Sequence, residues 1–351
     1  MFSTIFDDSA DRRRRKVTSI YAILVVGNLV AWLWAFLQFR DDPFLLGTAF
    51  LAYSFGLRHA FDADHIAAID NVTRKMMQQG RYPIAAGFFF SLGHSTVVVA
   101  LSLAVALTTA ALQTRFDTLK VIGSTIGTSI SALFLFTIAC ANILVLIQVW
   151  RALQAANRGG RLDTEDVDNI LAQRGLLGRL LRPAFKLIER SWQLYPLGIL
   201  FGLGFDTATE VGVLGISAAQ AAHGLSMWSI LVFPALFTAG MSLMDTTDST
   251  VMVGAYGWAF IKPMRKLYYN IAITFASVVA AVVIGGIEVL GLIGDKFGFE
   301  GSLWRAVATL TDHFGMVGYS LVGFFVVCWL ASYVLYKAAG YDRLEGPETS
   351  A

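Results

Sequence analysis

Cysteine is almost missing from this chain. The two that occur, Cys140 and Cys328, each lie inside an apolar run, which excludes a disulfide framework and a CxxC-type zinc site. Histidine is scarce as well, five in 351 residues, so no histidine-rich loop is present. Charged residues make up only 15% and the formal net charge is +2, too little to recommend a nucleic-acid partner. No GxxxxGK[ST] loop or GxGxxG turn occurs anywhere in the chain, so an ATP-driven process would require a separate partner chain.

What is abundant is apolar sequence. Hydrophobic residues account for 56% of the chain, well above the ordinary soluble range. Runs of about 20 apolar residues are needed to cross a hydrocarbon core. Eight are found, roughly 17 to 38, 44 to 69, 83 to 112, 121 to 150, 196 to 222, 226 to 260, 267 to 294 and 315 to 337. The expected fold is an all-α polytopic membrane protein of eight transmembrane helices, a single integral membrane domain over 1–351. The first run follows RRRRK with no small-residue cleavage site, which marks a retained helix and not a signal peptide.

Most of the 27 Lys and Arg residues fall on the N-terminal side of that topology: Arg12 to Lys16, Arg74, Lys75, Arg81, the 151–190 stretch, Lys262, Arg265, Lys266, Lys337 and Arg343. The positive-inside rule therefore predicts that both termini are cytoplasmic, with residues 1–16 a basic cytoplasmic segment and 152–194 a cytoplasmic loop between helices 4 and 5. Within that loop, LLGRLLRPAFKLIERSW reads either as a basic amphipathic segment on the inner leaflet or as a solvated linker.

FGLRHAFDADH in the second span echoes FGLGFDTATE in the fifth if two residues are skipped, and HSTVVV in the third echoes DSTVMV in the sixth. An offset of three spans reverses orientation, so one reading is an inverted-topology repeat of helices 2–4 and 5–7, an arrangement that puts substrate sites at the repeat interface. The other is chance similarity between short apolar stretches.

An ionisable side chain at the bilayer centre costs roughly 2.5–3.5 kcal/mol on insertion scales, so clusters of them need partners and usually a function. The second span carries Arg58, His59, Asp62, Asp64 and His65, the third His94, the fifth Asp206 and Glu210, and the sixth Asp245 and Asp248. The first span adds the neutral Asn28. On a regular helix turning about 100° per residue, with His59 at zero, Asp62 falls near 300° and His65 near 240°, while Asp64 falls near 140° on the other side. Either the helix is distorted here, or Asp64 plays a supporting role or pairs with another helix. Imidazole with carboxylate suits a borderline divalent ion such as nickel, cobalt or zinc, whereas calcium and magnesium prefer oxygen alone.

His94, in SLGHST, has small neighbours that permit close helix approach, and reads as a ligand or relay beside the second-span cluster or as a packed core histidine. Asp206 with Glu210, and Asp245 with Asp248, share helix faces. They could hold a cation, share a proton or pair with Arg58, or brace helices through Thr207, Thr209, Thr246 and Thr247. His223 and His313 fall at span ends and read as interfacial. Asp70, beside Arg74 and Lys75, reads as the point where the second span leaves the membrane.

With RHAFDADHI, SLGHST, LGFDTATE and GMSLMDTTDS in this order, the chain resembles the nickel/cobalt transporter family over about residues 17 to 340. It looks most like the bacterial high-affinity nickel permeases in that family. The resemblance implies eight transmembrane helices, uptake of Ni2+ or Co2+ across the bacterial cytoplasmic (inner) membrane, no enzymatic activity, no cofactor and no ATPase subunit. It assigns metal recognition to His59, Asp62, Asp64 and His65, adds His94, and brings in Asp206, Thr207, Thr209, Glu210, Asp245 and Asp248 with less definite roles. It also implies that Asn28 works with His59 in selecting the ion. The rival readings are a metal exporter, a haem-binding redox membrane protein and a proton-coupled carrier of an organic substrate.

Overall fold

In a computed structural model the described residues are 6–9, 13–107, 113–157, 188–203, 208–259 and 263–338. Asp206, Thr207 and the amphipathic part of the 152–194 loop lie outside them. The described residues form α-helices and one short 3-10 turn, with no strand among them. We number the helices α1 (Arg13–Phe39), α2 (Pro43–His59), α3 (Ala63–Gln78), α4 (Ala86–Leu107), α5 (Gln113–Asn157), α6 (Leu194–Phe201), α7 (Ala208–Ala222), α8 (Met227–Ile230), α9 (Val232–Ala259), α10 (Pro263–Phe297), α11 (Ser302–Asp312) and α12 (Phe314–Ala338).

Among the described residues, six segments are long and apolar enough to cross a membrane: α1, most of α4, the middle of α5, α8 with α9, the bulk of α10, and α12. Their outer faces leave large apolar side chains uncovered, among them Leu29, Leu133, Val251 and Val327, as expected of surfaces that meet lipid. The other two expected spans, 44 to 69 and 196 to 222, are each folded as two shorter helices, α2 with α3 and α6 with α7. The second span ends its first half by tightening: Phe61 N–H donates to Arg58 O and Asp62 N–H to His59 O, three residues back. Asp62 then adopts an extended backbone and starts α3 as its N-cap.

The halves are held by glycine. A Cβ on Gly56 of α2 would collide with the Phe237 carbonyl of α9, and one on Gly240 of α9 would lie 2.8 Å from the Tyr53 carbonyl of α2. The same reciprocity joins α4 to α6, where Gly93 abuts the Tyr195 carbonyl and Gly198 abuts the Phe90 carbonyl. In a medium as apolar as the helices themselves, such close backbone approach is a main source of attraction.

Asp70 does not mark a membrane exit. Helix α3 continues to Gln78, and Asp70 and Arg74 are fully buried. Asp70 accepts hydrogen bonds from the Tyr256 hydroxyl and, at 2.8 Å, from Ser277. Arg74 donates to Ser277 at 3.0 Å and Thr274 at 3.1 Å. The charges that looked like a water-facing end are instead sealed between α3, α9 and α10, where hydroxyls meet both carboxylate oxygens of Asp70 and all but Nη2 of the Arg74 nitrogens. Lys75 in turn donates to the Ile188 carbonyl at 2.9 Å.

Ahead of α1, the carboxylate of Asp8 accepts from the Ser191 amide at 2.9 Å and from its hydroxyl, while Tyr82 N–H donates to the Asp8 carbonyl at 2.8 Å. Burial pushes the Asp8 carboxyl above the usual range, against the pull of the Ser191 bonds. The segment before α1, the α3–α4 turn and the start of α6 thus share one end of the bundle. Gln38 accepts from Ser229 at 3.1 Å at the opposite end.

Gly198→Val should cost more than about 2 kcal/mol, because the atom it meets is a backbone carbonyl that cannot rotate away. Gly47→Val, where a side chain would meet nothing within 4 Å, should leave stability close to wild type. The midpoints of thermal unfolding of the two variants in detergent check this.

Candidate metal site

Four helix ends converge where the two broken spans face each other. Carbonyl ends come from α2, which stops at His59, and α6, which stops at Phe201, while amide ends come from α3 and α7. Carbonyl ends favour a nearby cation, and amide ends favour the carboxylates of their own first turns, here Asp64 and Glu210.

Between these ends lie three buried imidazoles. His59, His65 and His94 have ring centroids 4.6, 4.7 and 4.8 Å apart, and one nitrogen from each falls within 4.8 Å of the others. The closest contacts are made by Nε2 of His94, which lies 2.9 Å from Nε2 of His59 and 2.7 Å from Oε1 of Glu210. The third side of that triangle, His59 Nε2 to Glu210 Oε1, is 3.8 Å. Nε2 of His94 offers either one N–H or one lone pair, so it can serve only one of these two contacts well. A cation satisfies all three. The circle through these atoms has a radius of about 1.9 Å, so a centre slightly out of their plane meets each at the roughly 2.0–2.1 Å typical of metal–imidazole bonds.

The opposite edge of the His59 ring is tied down. Its Nδ1 is 2.7 Å from Asp62 Oδ2 and 3.1 Å from Thr209 Oγ1. The hydrogen bond of Nδ1 is the one to Thr209, while the Asp62 carboxylate lies beside it at ion-pair distance with Oδ2 otherwise unpartnered, so that Nε2 is the nitrogen turned to the triangle, with a carboxylate behind the imidazole as is usual for metal ligands. Asp is also a preferred N-cap type, yet the Asp62 side chain makes no cap bond to α3. The carboxylate is diverted to His59. His65 repeats the theme, its Nδ1 being 3.4 Å from Asp245 Oδ2 and its Nε2 having no hydrogen-bond partner.

The remaining expected residues are distributed as follows. Asp64 is half-buried and accepts from the His65 amide at 2.9 Å. Asp245 reaches His65, while Oδ2 of Asp248 has no hydrogen-bond partner. Arg58 is exposed and joins no ion pair among the described residues. Asn28 hydrogen-bonds to the Tyr53 hydroxyl at 2.9 Å and to the Ala239 carbonyl at 3.3 Å, bracing α1 against α2 and α9. His223 and His313 are exposed at helix ends.

Sequence reasoning missed the walls. Phe90 stands edge-on to His65 with centroids 4.8 Å apart, and Phe237 lies 5.4 Å from the His59 ring. Phe90 sits four residues before His94, one helical turn away, a spacing that could have singled it out. Phe237 has no such cue, because its place beside His59 depends on the glycine crossing of α9 with α2.

The sequence profile of the family described as "High-affinity nickel-transport protein" matches residues 45–335. A "High-affinity nickel transport protein" of Cupriavidus necator is 55% identical over 338 residues, 96% of each chain. The "Hydrogenase nickel incorporation protein HupN" of Bradyrhizobium diazoefficiens is 52% identical over 318 residues, 91% of this chain and 83% of its own. The "Cobalt transport protein NhlF" of Rhodococcus rhodochrous is 39% identical over 323 residues, 90% of this chain and 91% of its own. No solved structure matches. A helical bundle with membrane-length apolar helices, a buried nitrogen-rich centre and this coverage by relatives lead to one conclusion: the chain belongs to the high-affinity nickel-transport protein family, whose members are transporters and not enzymes.

Proposed function

We propose that this protein takes up Ni2+, and Co2+ as a second substrate, across the bacterial cytoplasmic membrane without an ATPase subunit. The observation that carries the reading is the triangle of His59 Nε2, His94 Nε2 and Glu210 Oε1 in a fully buried setting. His65 is a further donor, and Asp62 and Asp245 orient the imidazoles. Nitrogen-rich donor sets favour nickel and cobalt over calcium and magnesium, and the names of the relatives agree with that preference. The packing of the three rings leaves no slot for a porphyrin, which argues against haem.

In this reading the bundle has eight spans, two of them broken, and both termini are cytoplasmic. Each broken span has a helix that ends within or just after its FGL motif, α2 at His59 and α6 at Phe201, in keeping with an inverted repeat of helices 2–4 and 5–7. Discontinuous helices at a repeat interface are a recurring way to build a substrate site that opens alternately to either side. A membrane potential of 100 mV, negative inside, contributes about 2.3 kcal/mol per charge, hence roughly 4.6 for a dication, so the potential alone favours accumulation.

Cells expressing the protein should accumulate radiolabelled nickel, with cobalt competing and an uncoupler reducing the uptake. Absence of accumulation of either ion would refute the proposal. His59→Ala should reduce high-affinity uptake to background. Asp62→Asn, which keeps shape but weakens the hold on Nδ1, should weaken nickel binding by about 10- to 100-fold, measured by titration calorimetry on purified protein. Because ligand nitrogens must be unprotonated, binding by the wild type should weaken as pH is lowered, which the same calorimetric titration checks.

A further inference from the structure

The end of the bundle that holds Gln38 and Ser229 carries a feature the metal triangle does not explain. Helix α11 lies between α10 and α12 and rests on α10 at two glycines. A Cβ on Gly291 would lie 3.1 Å from Thr311 Oγ1, and one on Gly294 would lie 2.9 Å from the Trp304 ring. Between α10 and α11 is a cavity of about 750 Å³, whose lining includes Asp295, Glu300, Trp304, Arg305, Thr311 and Asp312.

Thr311 and Asp312 also line a second, much smaller cavity of about 20 Å³, together with Arg58, Asp62, Thr209 and Gly315. Two of those residues, Asp62 and Thr209, hold Nδ1 of His59 at 2.7 and 3.1 Å. Asp62 is buried and spans both environments. Its Oδ2 faces His59, while a Cβ on Gly315 would lie 3.3 Å from its Oδ1 and 3.6 Å from Arg58 Nε. Absence of a side chain at Gly315 keeps that oxygen open to the small cavity.

We propose that these two cavities are the entry route of the ion, joined at a neck formed by Thr311 and Asp312 and ending on Asp62. This proposal rests on the transport reading above, which makes this end of the bundle the outer one. The larger cavity has room for a cation with its hydration shell. The smaller holds about one water, so the ion sheds most of its water before it passes. Asp312 is then a positioning residue that draws the dication toward the neck past the positive Arg58. Asp62 is the carboxylate that passes the ion to the imidazole it already holds.

Two measurements test the route. In a background with Cys140→Ala and Cys328→Ala, Thr311→Cys should take up nickel until it is treated from outside with a charged, membrane-impermeant thiosulfonate. Treated protein should lose at least tenfold in uptake, and nickel should slow the labelling. If Thr311→Cys itself does not transport, Ala308→Cys on the wall of the larger cavity replaces it. Asp312→Asn should raise the half-saturating nickel concentration about three- to five-fold, leave the maximal rate near wild type, and lose this effect at high ionic strength. Labelled protein that transports at the unlabelled rate, or an Asp312→Asn variant with wild-type half-saturation at low salt, overturns the route while wild-type uptake keeps the functional reading intact. A wild-type chain that takes up neither ion overturns both.

Discussion

The centre of this protein is governed by one contact, two imidazole nitrogens held 2.9 Å apart in a fully buried setting. Buried polar atoms are tolerated only when each has a partner, and His94 faces two acceptor-capable atoms with one proton at most to offer. A cation bound between the three atoms relieves that competition. The surrounding features are in keeping with it: the interruption of the span just after His59, the absence of an Asp62 cap bond, and the aromatic rings that flank the imidazoles.

Much of this was legible in the sequence. His59, Asp62, His65, His94, Thr209, Glu210 and Asp245 all stand out as polar groups inside apolar runs, and they do meet in space. The geometry of an ideal helix also raised the right question about Asp64, since no regular helix could aim it with the others. The structure shows the helix broken just after His59 and Asp64 bonded to the amide of the next residue.

Other features were illegible for physical reasons. Asp70, Arg74 and Lys75 have the composition of a membrane exit, and composition cannot reveal that Ser277, Thr274 and Tyr256 wait on α9 and α10 to partner two of them. Asn28 carries a polar amide in an apolar helix, but whether it reaches an imidazole or a tyrosine depends on how α1 leans on its neighbours. Helix α11 has apolar residues at helical spacing, Leu303, Val307 and Leu310, but it is too short to read as a membrane span and so fell between the apolar runs. The length of a span is likewise a poor guide to its continuity, because α2 with α3 reads as one apolar stretch.

The reciprocal glycine crossings bear on how the chain is made. Helix α2 is locked to α9 and α4 to α6, so each early helix has a late partner. While the ribosome is still at work, Gly56 and Gly93 have nothing to close against, and His59 and His94 wait for Thr209 and Glu210. The first half therefore enters the bilayer as an unfinished surface, and the maturation of the centre is tied to the insertion of α9.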